Sequence, residues 1–108
     1  MERDIWLERF RQEALPLIIH HLQPERVLVF GSRARGTANE ESDIDIIIIS
    51  KRFGEIPFIR RMPMMMKLIP FPKHIDYLCY PPEEFGRMKD ASSIIIDALN
   101  EPLELAVS

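Results

Sequence analysis

The chain has 108 residues, which suits one compact domain over residues 1–108 and is too short for two ordinary ones; its 46% apolar content allows a real core. The formal net charge of −3 argues against an extended DNA- or RNA-binding surface, which carries a basic excess, but not against one nucleotide in a pocket. Cys79 is the only cysteine, so it forms no intramolecular disulfide and builds no zinc site by itself. Met1 to Arg11 mixes charges with apolar residues, unlike a signal peptide, and no apolar stretch approaches the roughly 20 residues of a membrane span. A soluble, cytoplasmic protein is expected.

In chain order, Ile5, Leu7, Phe10, Ala14, Leu15, Leu17, Ile18 and Leu22 recur at near-helical spacing and predict a helix over residues 4–22, kinked or split at Pro16. Residues 27–30 are a short apolar run ending at Gly31 and read as a buried strand. A turn or short helix over 32–36 and a polar loop over 37–42 follow. Residues 43–50 form the second strand: four consecutive isoleucines, Ile46 to Ile49, are β-branched and stiff, and imply that both faces are covered beyond the strand's start. After a turn over 51–54, residues 55–70 have a helical apolar face, but Pro63 stands where it would break a regular helix. Residues 74–80 are a third strand, with Ile75, Tyr77 and Cys79 on one face and His74, Asp76, Leu78 and Tyr80 on the other. Pro81-Pro82-Glu83-Glu84 opens a helix, residues 91–100 form another, and 103–107 add a short strand.

Three features carry chemistry. The first is an apolar strand running straight into Gly31-Ser32-Arg33-Ala34-Arg35-Gly36. Backbone N–H groups at such a turn bind anions, Gly31 lets a phosphate come close, Ser32 adds a hydroxyl, and Arg33 and Arg35 add positive charge. The spacing is not that of a Walker loop, and a plain tight turn with exposed arginines is an equal reading of this stretch alone. The second is Asp43-Ile44-Asp45, whose carboxylates leave one strand face about 7 Å apart at Cα. Like charges so close repel unless a cation sits between them, and divalent metal shared with phosphates is the usual use of such a pair. The third is Asp76, within an otherwise apolar strand, where a lone aspartate is costly unless paired or functional. If the two strands are neighbours, Asp43, Asp45 and Asp76 meet beside the Gly-Ser turn. Two metal ions there would clamp an in-line phosphoryl displacement, and Asp76 could also accept the nucleophile's proton.

Gly31-Ser32, ten residues, then Asp43-Ile44-Asp45, with Asp76 on a later strand, resembles the signature of the DNA polymerase β-like nucleotidyltransferase superfamily, in its small branch of minimal nucleotidyltransferases. The resemblance implies an α/β (α+β) fold, a short mixed sheet with helices packed on it. It also implies magnesium as cofactor, with two ions expected, and ATP as substrate. It implies catalytic and metal-binding roles for Asp43, Asp45 and Asp76, and nucleotide binding by Gly31, Ser32, Arg33 and Arg35. Such proteins are similar to the antitoxin of two-protein modules whose partner is a helical HEPN-family ribonuclease. The antitoxin there transfers AMP to a tyrosine of the toxin.

Two other readings stand beside an active enzyme: a non-catalytic partner-binding module of the same fold, and a nucleotidyltransferase acting on a small molecule. The intact carboxylate set and turn favour an enzyme, and 108 residues leave no room for the helical second domain of small-molecule relatives. His20 and His21 are expected at the surface, Cys79, Tyr77 and Tyr80 packed, and Arg60, Arg61 and Lys67 on a solvated edge. The face carrying the aspartates also carries Ile47, Ile49 and Leu78. An open apolar area there, unless residues 56–71 fold across it, predicts a homodimer or a complex with a helical protein.

Overall fold

Asp4 starts the first helical segment by accepting a hydrogen bond from the Leu7 N–H at 3.1 Å, so the chain enters α1 (Ile5–Arg9) with a capped end. Pro16 has no N–H to give, and the chain accommodates it by changing helix type. A π-helical stretch (Phe10–Ala14) intervenes before α2 (Leu15–Leu22), and Pro16 then falls in the first turn of α2. The expected split therefore takes the form of a π segment. The described residues are 3–107 of a computed structural model; Met1, Glu2 and Ser108, the ends of the expected 1–108 domain, lie outside them.

β1 (Arg26–Phe30) leads into α3 (Gly31–Arg35), and the isoleucine run forms β2 (Ile44–Ile49). A 3₁₀ turn (Lys51–Glu55) and α4 (Phe58–Leu68) connect β2 to β3 (Ile75–Tyr80); α5 (Pro82–Met88), α6 (Ser93–Ala98) and β4 (Leu103–Leu105) follow. The sheet order is β3-β2-β1-β4, with β2 and β3 parallel and the other pairs antiparallel. The fold is thus the expected α+β arrangement around a short mixed sheet.

α4 continues through Pro63, contrary to expectation. Pro63 is exposed, so the carbonyl it leaves without a helical partner is near solvent. Arg61 pins the helix from the other side. Its guanidinium donates to the Ile56 carbonyl at 2.9 Å and the Cys79 carbonyl at 3.0 Å, and pairs with Glu84 at 3.0 Å. Arg61 is buried, not on the solvated edge read from the sequence, because it ties α4 to β3 and α5.

Strand alternation divides the core between the two sheet faces. Val27, Val29, Ile44, Ile46, Ile48, Ile75, Tyr77 and Cys79 pack with Phe10, Ile18 and Met65 from the first helices and α4. Leu28, Ile47, Ile49 and Tyr80 pack on the other face with Phe85 of α5 and Ile95 and Ala98 of α6. Among the described residues, the open apolar area expected beside the aspartates is therefore absent: Ile47 and Ile49 lie beneath the chain's own last two helices, and the Met-rich α4 serves the opposite face.

Candidate active site

The sheet register assembles the carboxylates. β2 and β3 run parallel with Ile44 opposite Ile75 and Asp45 opposite Asp76. Asp43, Asp45, His74 and Asp76 consequently project to one face at the N-terminal ends of two adjacent strands. Phe30, the last residue of antiparallel β1, pairs with Asp45 and delivers Gly31 to the same edge. The helices α5 and α6 cover the farther part of this face and leave the edge accessible. Asp43 is exposed, and Asp45 and Asp76 are half-buried.

Crowding is recorded in Asp45, whose carboxyl is pushed up to about 6, first by burial, then by the charges of Asp76 and Asp43 and a hydrogen bond with Asp76; His74 acts in the opposite direction. Among the described residues, Asp43, His74 and Asp76 each offer a ligand atom lying within 4.8 Å of the other two. These donors fit a divalent ion: carboxylates set close enough to perturb one another, with an open side for a phosphate. His74 was not singled out in the sequence, although His74-x-Asp76 obeys the same two-residue alternation that makes Asp43-x-Asp45 legible. Its Nε2 lies 2.9 Å from Asp76 Oδ1.

Gly31 begins α3 with φ +71°, a left-handed conformation that favours glycine. A Cβ here would overlap the Asp45 Oδ2 atom and come within 3.3 Å of its carboxyl carbon. The glycine thus makes room for the carboxylate beside it, a constraint that arises only from the pairing of β1 with β2. No side chain caps the first turn of α3, and Ser32 stands there half-buried. The Ser32 carbonyl accepts from the Thr37 N–H at 2.9 Å, closing the loop behind it.

The two arginines of the turn part company. Arg35 is exposed and borders a cleft of about 570 Å³ between the turn and α6, lined also by Phe30, Gly31, Ser93, Ile94 and Asp97. Arg33 is turned inward, with 3% of its side chain exposed. It pairs with Asp4 at 2.8 Å and donates to the Ser42 carbonyl at 2.6 Å and the Asn39 carbonyl at 3.2 Å. Its guanidinium, expected at the nucleotide, is engaged here in fixing loop 37–42, which leads into β2 and positions Asp43. Asp4, which caps α1 and pairs with Arg33, is a positioning residue that only the tertiary structure reveals.

A family model described as a nucleotidyltransferase domain matches residues 7–102. The chain belongs to the nucleotidyltransferase domain family. The match takes in every residue of the carboxylate edge and the Gly-Ser turn. A protein of Methanocaldococcus jannaschii, named as a candidate protein adenylyltransferase, is 41% identical over 44 residues, a stretch spanning 41% of this chain and 41% of that protein. A crystal structure of a candidate nucleotidyltransferase from Sulfolobus solfataricus superposes with a TM-score of 0.56 at 25% identity, covering 95% of this nucleotidyltransferase domain and 87% of that chain. No helix among the described residues is long and apolar enough to cross a membrane.

Proposed function

We propose that this minimal nucleotidyltransferase moves AMP from ATP to a hydroxyl of a protein acceptor, with magnesium as the supporting ion. The observation that carries the reading is the register of Asp45 opposite both Asp76 and Phe30, which gathers the carboxylates and the Gly31-Ser32 turn at one accessible sheet edge. In this reading the cleft beside Gly31 takes the nucleoside, the turn and Arg35 face the phosphates, and Asp43, Asp45 and Asp76 hold the metal. A divalent ion held there, or a pair of them, would supply positive charge to offset that of the triphosphate. The acceptor oxygen forms a bond to the α-phosphorus, the bond from that phosphorus to the β-phosphate bridging oxygen breaks, and pyrophosphate leaves. Asp76 takes the proton of the attacking hydroxyl.

A protein acceptor is favoured by the name of the M. jannaschii relative. The resemblance to antitoxins narrows it to a tyrosine of a helical HEPN-family partner, with this chain acting as the antitoxin. The experiment is incubation of the chain with ATP, magnesium and the product of the adjacent gene, followed by intact mass and peptide mapping. Addition of one AMP to a tyrosine is the expected result. An unmodified acceptor, in a preparation that binds the triphosphate, refutes the acceptor assignment.

A further inference from the structure

We propose that His74 is a ligand of the metal bound by Asp43 and Asp76, and that it biases this site toward first-row transition ions over magnesium. The inference rests on and deepens the metal-dependent reading above, sharing two of its three carboxylates and adding a nitrogen donor. Three observations carry it. The first is register: Ile44 opposite Ile75 places position 43 against position 74, two residues before Asp45 and Asp76, so the imidazole stands on the carboxylate face. The second is distance. Ligands about 2.1 Å from an octahedral ion are about 3 Å apart when adjacent and about 4.2 Å when opposed. His74 Nε2 and Asp76 Oδ1, 2.9 Å apart, already have the spacing of adjacent ligands, and all three donors lie within 4.8 Å of one another, so closure onto one ion takes movements of about half an ångström. The third is freedom: 43% of the His74 side chain is exposed, so the ring is held by its hydrogen bond to Asp76 and not by packing, and its nitrogen can turn to an ion.

The chemical consequence is selectivity. Magnesium is a hard ion that takes oxygen ligands and releases water reluctantly, whereas imidazole suits zinc, nickel and cobalt, whose affinities exceed that of manganese in the same site. An Asp-His-Asp set therefore gains much more affinity for cobalt than for magnesium from its nitrogen.

The test strips the full chain with chelator and titrates it separately with cobalt, followed by visible absorption, and with magnesium, followed by calorimetry. His74→Gln is expected to weaken cobalt binding at least about tenfold while changing magnesium binding less than about twofold. His74→Asp, which replaces nitrogen with oxygen, is expected to retain magnesium binding and not to restore cobalt. Chelated melting curves within a few degrees of wild type confirm that both variants fold, as the ring's exposure requires. Equal weakening of both ions by His74→Gln would show that His74 only orients Asp76 and would overturn the proposal, as would no weakening of either. AMP transfer is read separately, so an inactive protein with the selectivity intact would refute the enzymatic reading and leave this one standing.

Discussion

Replacing Asp45 by asparagine should stabilise the metal-free protein, and by an amount that depends on pH. The Asp45 carboxyl is held at about 6 against its ordinary 3.8, so the folded chain binds a proton there more tightly than the unfolded chain does. Below about pH 4 both states are protonated and the site costs nothing. Between about 4 and 6 the unfolded chain ionises first, and stability is lost; above about 6 the full penalty applies. The whole displacement would correspond to roughly 3 kcal/mol, but Asp45 is only half-buried, and solvent screening brings the figure to about 1–2 kcal/mol. In chelator at pH 8, Asp45→Asn should melt about 5 °C higher than wild type. The gain should shrink toward zero near pH 4, and saturating magnesium should reverse it by stabilising the wild type more than the variant. Thermal melts across pH, with and without the ion, measure all three. A variant that melts lower than wild type at pH 8 in chelator would show that Asp45 is a structural acceptor and refute the crowded-site reasoning.

Gly31→Ala should lower stability by at least about 1–2 kcal/mol from its positive φ alone, with more from overlap with Asp45. In an Asp45→Ala background only the backbone part should remain, and denaturant melts of the four proteins decide whether the two residues couple. Arg33→Ala should cost about 2–4 kcal/mol by leaving Asp4 and two loop carbonyls without their donor, whereas Arg35→Ala should leave the melting point within about 2 °C and weaken triphosphate binding. Calorimetry beside the melts separates these roles, and the reverse pattern would place Arg33 at the nucleotide and Arg35 in the fold. Ile47→Ala should cost about 2–5 kcal/mol because α5 and α6 seal it; an almost neutral change in urea denaturation would mean that face is open after all.

The isoleucine run announced β2 and its burial on both faces, because β-branched residues in an unbroken apolar stretch admit few other solutions. The same two-residue alternation placed Asp43 and Asp45 on one face, and Asp76 could join them only if its strand lay beside theirs, which the β2–β3 pairing supplies. His74 obeyed it too, but a lone histidine at a strand start has many bland explanations, and only the parallel register with β2 gives it company. The direction of Arg33 was illegible because its partner, Asp4, stands 29 residues away. Pro63 misled because local propensity speaks against a helix interior, while Arg61, reaching Cys79 and Glu84, holds α4 from outside the helix. The sealing of Ile47 and Ile49 depends on the chain folding back after β3, and α5 and α6 are too short for their apolar faces to declare a destination.

The central claim is transfer of a nucleotidyl group, and the label on ATP tests it most directly. The chain, magnesium and the adjacent gene's product are incubated in parallel with ATP labelled at the α-phosphate and at the γ-phosphate. The acceptor should become labelled from the α-position only, with pyrophosphate released, and Asp45→Asn and Asp76→Asn should each abolish the signal while remaining folded. Label arriving from the γ-position, or α-label transferred equally well by the Asp76→Asn protein, would contradict the assignment of this carboxylate edge.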